Sequence, residues 1–203
     1  GPAMTAPIDF YFDFSSPYGY LASHKIEALA AAHGREVNWR PMLLGVAFKA
    51  TGMAPLPHVP LKGTYSMRDF LRSARFHGIP YKQPGTFPIS TVPAARAYYW
   101  LQGRDPKKAV ELAKVLYNAY FAEGLDISKP ENVVQLARGL GVNGDEVAAA
   151  LNDPVVKEKT KNEVDAAVAK GVFGSPYIVV DGEPFWGVDR FDQIERWLAQ
   201  GPF

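Results

Sequence analysis

The segment Ile8-Asp9-Phe10-Tyr11-Phe12-Asp13-Phe14-Ser15-Ser16-Pro17-Tyr18-Gly19-Tyr20-Leu21 decides how this chain is read. Its first half alternates. Ile8, Phe10, Phe12 and Phe14 share one face and Asp9, Tyr11 and Asp13 the other, which is the period of a β-strand. Ser15-Ser16-Pro17 ends that rhythm. Serine is a preferred N-cap and proline a favoured first helical residue, so a helix opens here. It is predicted to run to about His33, with Ala22, Ile26, Leu29 and Ala30 on one stripe and Gly34 just beyond its end. Glu36 to Arg40 alternates again through Val37 and Trp39, a second strand. Residues 8–41 therefore form a β-α-β unit, whose strands a right-handed crossover makes parallel.

Outward from that unit the character of the chain changes. Met42 to Lys49 reads as a short helix, and Thr51 to Gly63, with Pro55, Pro57 and Pro60, as an irregular loop. Helical patterns follow at 64–77, 91–102, 107–123, 130–139, 144–151 and 154–170. Ala109, Leu112, Ala113, Leu116, Tyr117 and Tyr120 keep an i, i+3, i+4 rhythm in the longest. Ser128 with Glu131, Asn143 with Glu146, and Asp153 before Pro154 mark helix starts. The end returns to β structure. Tyr177 to Val180 is a strand, Asp181-Gly182 a two-residue hairpin turn, and Glu183 to Trp186 the returning strand. Asp189 then caps a last helix with Phe191, Ile194, Trp197 and Leu198 inward. The predicted order is β-α-β, helices, β-β-α: the α/β order of a thioredoxin-like domain carrying a large all-helical insertion. The expected division is 5–41 with 171–203 for the thioredoxin-like domain and 42–170 for the helical insertion.

Composition narrows the chemistry. The 203 residues carry 22 Lys and Arg against 21 Asp and Glu and no cysteine. Near-neutrality argues against a nucleic-acid or anionic-membrane partner, which calls for a basic excess. The absent cysteine excludes disulfides, Cys-ligated metals and a thiol nucleophile of the chain's own. His24, His33, His58 and His77 show no metal-ligand spacing, so no metal is expected. No stretch approaches the ~18 apolar residues of a membrane span, and a cytoplasmic protein is the expectation. Gly1-Pro2-Ala3-Met4 reads as a tag-cleavage scar before a native Met4 and is set aside.

Three junctions could carry chemistry. At the first, Ser15 and Ser16 stand at a strand-to-helix start. Serine there is either a plain cap or a hydrogen-bond donor to a ligand anion drawn by the free amides. At the second, Gly171-Val172-Phe173-Gly174-Ser175-Pro176-Tyr177 is either a turn or a cis Ser175–Pro176 bond presenting the Ser175 main chain to an extended peptide-like ligand. At the third, Val188-Asp189 is either a cap or the place where free amides take a carboxylate and Asp189 an ammonium.

Together the motifs Phe10 to Leu21, Arg40-Pro41, Lys62-Gly63, Gly171 to Pro176 and Phe185 to Arg190 resemble those of the 2-hydroxychromene-2-carboxylate isomerases and kappa-class glutathione transferases. These form a glutathione-using branch of the DsbA-like thioredoxin superfamily. The resemblance implies glutathione as cofactor and Ser16 as the catalytic serine that hydrogen-bonds its thiolate. It implies cofactor contacts from Ser16, Pro17, Tyr18, Lys62, Ser175, Pro176, Val188 and Asp189. It further implies a homodimer and a small aromatic-derived substrate. Two positions depart from the family's pattern: Met53 stands where an Asn is common, and Val188 where a Ser or Asn is common. A glutathione-dependent cis–trans isomerase of the 2-hydroxychromene-2-carboxylate type is the leading expectation, acting on an aromatic-degradation intermediate with a borrowed nucleophile. A kappa-type transferase or peroxidase, or a redox-inert DsbA-like binding protein, is the alternative.

Overall fold

A computed structural model describes residues 6–203, so the Gly1–Met4 segment lies outside the described residues. Its centre is a four-stranded sheet in the order β2-β1-β3-β4. β1 (Ile8–Phe12) runs parallel to β2 (Val37–Pro41), with Phe10 opposite Trp39 and Phe12 opposite Pro41. β3 (Tyr177–Val180) is antiparallel to β1, and β4 (Glu183–Trp186) is antiparallel to β3. The hairpin turn holds Asp181 at φ +50° and Gly182 at φ +84°. Positive φ at both central residues is what a type I′ turn requires, so the Asp-Gly pair is matched to its geometry.

The first helical segment is two helices rather than one: α1 (Pro17–Ser23) and α2 (Ile26–Ala32). The Ser23 hydroxyl donates to the Tyr20 carbonyl at 2.6 Å, the acceptor that the His24 amide would need to continue the helix. His24 N–H turns instead to Leu21 O and Lys25 N–H to Ala22 O. The inward stripe survives the break, because Ala22, Ile26 and Ala30 are all buried. After α2, Gly34 at φ +68° lets Arg35 N–H reach back to Ala30 O, the αL stop expected there.

Seven helices separate β2 from β3: α3 (Leu44–Thr51), α4 (Lys62–His77), α5 (Val92–Gln102), α6 (Pro106–Phe121), α7 (Pro130–Gly139), α8 (Gly144–Ala150) and α9 (Pro154–Ala169). The proline-rich stretch before α4 contains a single 3-10 turn, Leu56–His58. Asn143 and Asp153 cap α8 and α9 as expected. Ser128 does not cap α7. Its hydroxyl and amide both go to Asp126, and the N-cap position falls to Lys129 without a side-chain bond. The last helix, α10 (Phe191–Gln200), buries Phe191 and Ile194 and starts from Arg190, not Asp189.

The strand alternation of β1 misleads in one respect. Tyr11 and Asp13, on its nominally polar face, are buried at 5% and 6% exposure. Tyr11 packs with Met42, Ala47, Ala167, Val172 and Tyr177 in a second small core, so α3 and α9 cover the sheet face opposite the main one. On the main face Phe10, Phe12 and Phe14 meet Trp39 and Tyr117 edge-on or tilted. The same cluster continues into α5, α6 and α7. One sheet with both faces packed holds its edge loops rigidly, and the candidate site lies in those loops.

Candidate functional site

Three chain segments far apart in sequence meet where β1 ends. Ser16 is the N-cap of α1. Its Oγ accepts from Gly19 N–H at 3.0 Å and donates to the carbonyl of Ser175 at 3.1 Å. The Ser175–Pro176 bond is cis, and the Ser175 Oγ accepts from the Asp13 amide at 3.1 Å. The Pro176 carbonyl accepts from Gly187 N–H, which draws the end of the hairpin to the same place. The short 3-10 turn Val188–Arg190 packs against α1 beside them. Ser16, Pro17, Ser175, Pro176 and Val188 therefore stand together.

Beneath them lies Asp13, which the sequence pattern assigned to the far face of a strand. One carboxylate oxygen accepts from Ser15 N–H at 2.9 Å and from the Thr91 hydroxyl at 2.6 Å, and the other from Leu44 N–H at 2.9 Å. Its main-chain carbonyl takes the Tyr117 phenol at 2.6 Å and the Ser16 amide at 2.9 Å. Asp13 thus ties β1 to α3, α5, α6 and both serine loops. Burial pushes its carboxyl above the usual range, against the three hydrogen bonds that favour the charged form. Burial likewise holds the Tyr117 phenol well above its ordinary value, so it keeps the proton that it donates to the Asp13 carbonyl.

Gly19 explains how closely these groups can approach. A Cβ there would lie 2.6 Å from Ser175 Oγ and nearer still to the Tyr117 phenol oxygen. Three hydroxyls, of Ser16, Ser175 and Tyr117, converge over a position that admits no side chain. The sequence motifs point to Ser16 and Ser175 here, while Asp13 and Gly19 stand in the first motif with no role assigned to them. Thr91 and Leu44 carried no sequence signal.

The other candidates are placed less centrally. Tyr18 gives its hydroxyl to Asp69 on α4 at 2.5 Å and packs edge-to-face with Phe70, so its side chain is committed to α4 and its amide is what remains unpaired at the start of α1. Lys62 is exposed as the first residue of α4, and Met53 is half exposed in the loop after Gly52. Asp189 is exposed in the middle of the 3-10 turn, its carboxylate folded back over Gly187. It does not cap α10, because α10 begins after Arg190. The helix predicted to run from Ser16 to about His33 presents at Ser16 only the seven residues of α1. What remains for a ligand is a set of amides. Those of Tyr18, Ser175, Val188 and Asp189 carry no hydrogen bond among the described residues. A bare helix start leaves its first amides unpaired by construction. Among the described residues no cluster of three or more His, Asp or Glu could hold a metal, and no helix is long and apolar enough to cross a membrane.

A family model for the DSBA-like thioredoxin domain matches residues 7–199, and the chain belongs to that family. Within it, the chain is 32% identical over 197 residues to a 2-hydroxychromene-2-carboxylate isomerase of Sphingobium xenophagum, covering 96% of this chain and 99% of that protein. It is 27% identical over 209 residues to glutathione S-transferase kappa 2 of Caenorhabditis elegans, covering 97% and 92%. A solved 2-hydroxychromene-2-carboxylate isomerase structure superposes with a TM-score of 0.85 at 26% identity, over 95% of this chain and 94% of that one.

Proposed function

We propose that this protein is a glutathione-dependent cis–trans isomerase of the 2-hydroxychromene-2-carboxylate type, acting in the cytoplasm on an aromatic-degradation intermediate. The observation that carries the reading is the meeting of Ser16 with the Ser175–Pro176 loop in a chain that has no cysteine. The similarity to isomerases along nearly the whole chain supports it.

The residues present fit glutathione. An extended peptide can pair with the free Ser175 amide, a terminal carboxylate with the free amides of Val188 and Asp189, and an ammonium with the exposed Asp189 carboxylate. Val188 needs only its backbone for this, so its apolar side chain is no obstacle. Pro17 and Pro176 wall the site, the Tyr18 amide faces it, and Lys62 adds a cation at the start of α4. Bound glutathione would supply the thiolate nucleophile that the chain lacks. Ser16 positions that sulfur by turning its proton from the Ser175 carbonyl toward it, while Gly19 N–H continues to hold the serine oxygen. Asp13 and Tyr117 fix both serine loops and exclude water from behind them.

A kappa-type glutathione transferase is the second reading, favoured by the kappa-class relatives. Calorimetric titration with glutathione tests both. Saturable binding is expected, and no binding at millimolar ligand would sink the two readings together. Isomerase and transferase assays on one preparation then separate them. A homodimer, proposed by resemblance, is tested by light scattering on the same sample.

A further inference from the structure

An open groove of about 730 Å³ runs between α5, α7 and α8, and none of its lining residues belongs to the serine loops. Its walls are largely apolar, built from Pro93, Val134, Ala148 and Leu151. Into it reaches Arg96, half-buried on α5. The Arg96 guanidinium is poorly satisfied. One Nη makes a single long contact, 3.4 Å, to the Leu151 carbonyl, and Nε is buried with no partner. Among the described residues it forms no ion pair. A guanidinium has five donors and is always charged, so a half-buried one without a carboxylate is an uncompensated cation in a low-dielectric wall.

The rest of the groove reinforces that charge. Arg138 lines it as well, lying where Gly144 leaves no Cβ in its way, and its partner Asp145 stands outside the groove at 3.4 Å. The lining thus holds two arginines against one carboxylate, Glu131. The first turns of α5 and α7 border it through Pro93 and Pro130, and neither helix has a side-chain N-cap bond. Their partial positive ends add to the same sign.

We propose that this groove is a second binding site, taking a small organic anion: one carboxylate on an apolar, ring-sized body. Arg96 receives the carboxylate, and Val134 and Leu151 cover the apolar part. A wholly apolar ligand would leave Arg96 unpaired, and inorganic phosphate would leave the apolar walls unused. The site is independent of the glutathione reading, because no residue of it belongs to the serine loops.

The test is a titration of the full chain with 2-naphthoate, followed calorimetrically. We expect saturable binding, weakened at least ~10-fold by Arg96→Gln, the size of one lost charge-assisted pair. Gln135→Trp, which fills the groove from an exposed position and keeps both arginines, should weaken it similarly. Ser16→Ala should leave it unchanged. The neutral 2-naphthamide should bind at least ~10-fold more weakly than the acid. Circular dichroism melts establish that the variants fold, and Gln135→Trp decides alone if Arg96→Gln does not. No saturable binding of naphthoate, or affinity indifferent to Arg96→Gln and Gln135→Trp, overturns the proposal.

Discussion

Ser16 donates its hydroxyl proton to the carbonyl of Ser175, 3.1 Å away, although 159 residues separate the two in sequence. The same oxygen accepts from Gly19 N–H, so in the resting structure the serine is both a helix cap and a bridge to the cis-proline loop. Removing it should therefore have two separable effects. Ser16→Ala is expected to cost about 1 kcal/mol of stability as a lost N-cap. It should lower turnover about 100-fold, as loss of a donor to a developing or resting anion does. Glutathione affinity should fall by less than about tenfold, because other amides hold the ligand. Chemical denaturation, calorimetry and the isomerase assay measure the three. Unchanged turnover alongside the stability loss would leave Ser16 a cap and nothing more.

Gly19→Ala should destabilise the protein, against the ordinary trend. In a helix interior this substitution gains about 1 kcal/mol from propensity. Here the new methyl meets the hydroxyls of Tyr117, Ser175 and Ser16, and overpacking of this kind costs about 1–3 kcal/mol. Introducing Tyr117→Phe removes the nearest of the three oxygens. A double-mutant cycle should then show a smaller Gly19→Ala penalty in the phenylalanine background than in the wild type. Equal penalties would mean that the three hydroxyls do not crowd this position.

Asp13 predicts a pH dependence with a definite sign. Its carboxyl titrates above the unfolded value because it is buried. A raised folded pKa contributes stability that is complete below the unfolded value and lost as pH rises through the folded one. Asp13→Asn does not titrate in that window. At pH 7 the variant should be less stable by about 1–3 kcal/mol, because an amide turns a donor toward the Leu44, Ser15 or Thr91 donors. As pH falls from 7 toward 4 the wild type should gain on the variant, widening the gap. A gap that narrows over this range would show that the hydrogen bonds outweigh burial.

The architecture was legible where its signals were local. The Asp181-Gly182 pair, the β1 alternation, and Asn143 and Asp153 ahead of their helices each state their geometry within four residues. The candidate site was legible only in part. Ser16 and Ser175 announced themselves through proline. Asp13 did not, because its partners Leu44 and Thr91 arrive from 31 and 78 residues away. A period-two pattern assigns a residue to a face but cannot say that a helix will cover it. The break after Ser23 was hidden for a related reason. The apolar stripe passes through it unbroken, and only one hydroxyl's competition for the Tyr20 carbonyl divides the helix.

Arg35 and Asp181 form a two-pronged pair, 2.9 and 3.0 Å, that ties the end of α2 to the hairpin turn. The guanidinium holds the Asp181 carboxyl below the usual carboxylate range. A lowered folded pKa contributes stability above the unfolded value and loses it as pH falls through the folded one. Asp181→Asn keeps a residue that tolerates the left-handed backbone of the turn and removes only the charge. It should cost less than about 1 kcal/mol at pH 7. The difference from wild type should shrink below about pH 4 and vanish once the native carboxyl is protonated. A pH-independent difference would place the effect in the turn instead of the ion pair.

Asp189 separates a structural role from a ligand role most sharply. As an N-cap of the last helix its removal would cost about 1 kcal/mol. In the structure it is exposed, one residue short of the cap position, and its side chain accepts nothing from the first turn of α10. Asp189→Asn should therefore change stability by no more than about 0.5 kcal/mol, as exposed substitutions do. If its carboxylate receives the ammonium of glutathione, the same substitution should weaken glutathione binding about tenfold, the size of one lost charge-assisted bond. The weakening should be largest for glutathione and absent for an analogue without the α-amino group. A stability loss with unaltered affinity would return Asp189 to the fold and take the γ-glutamyl end of the ligand elsewhere.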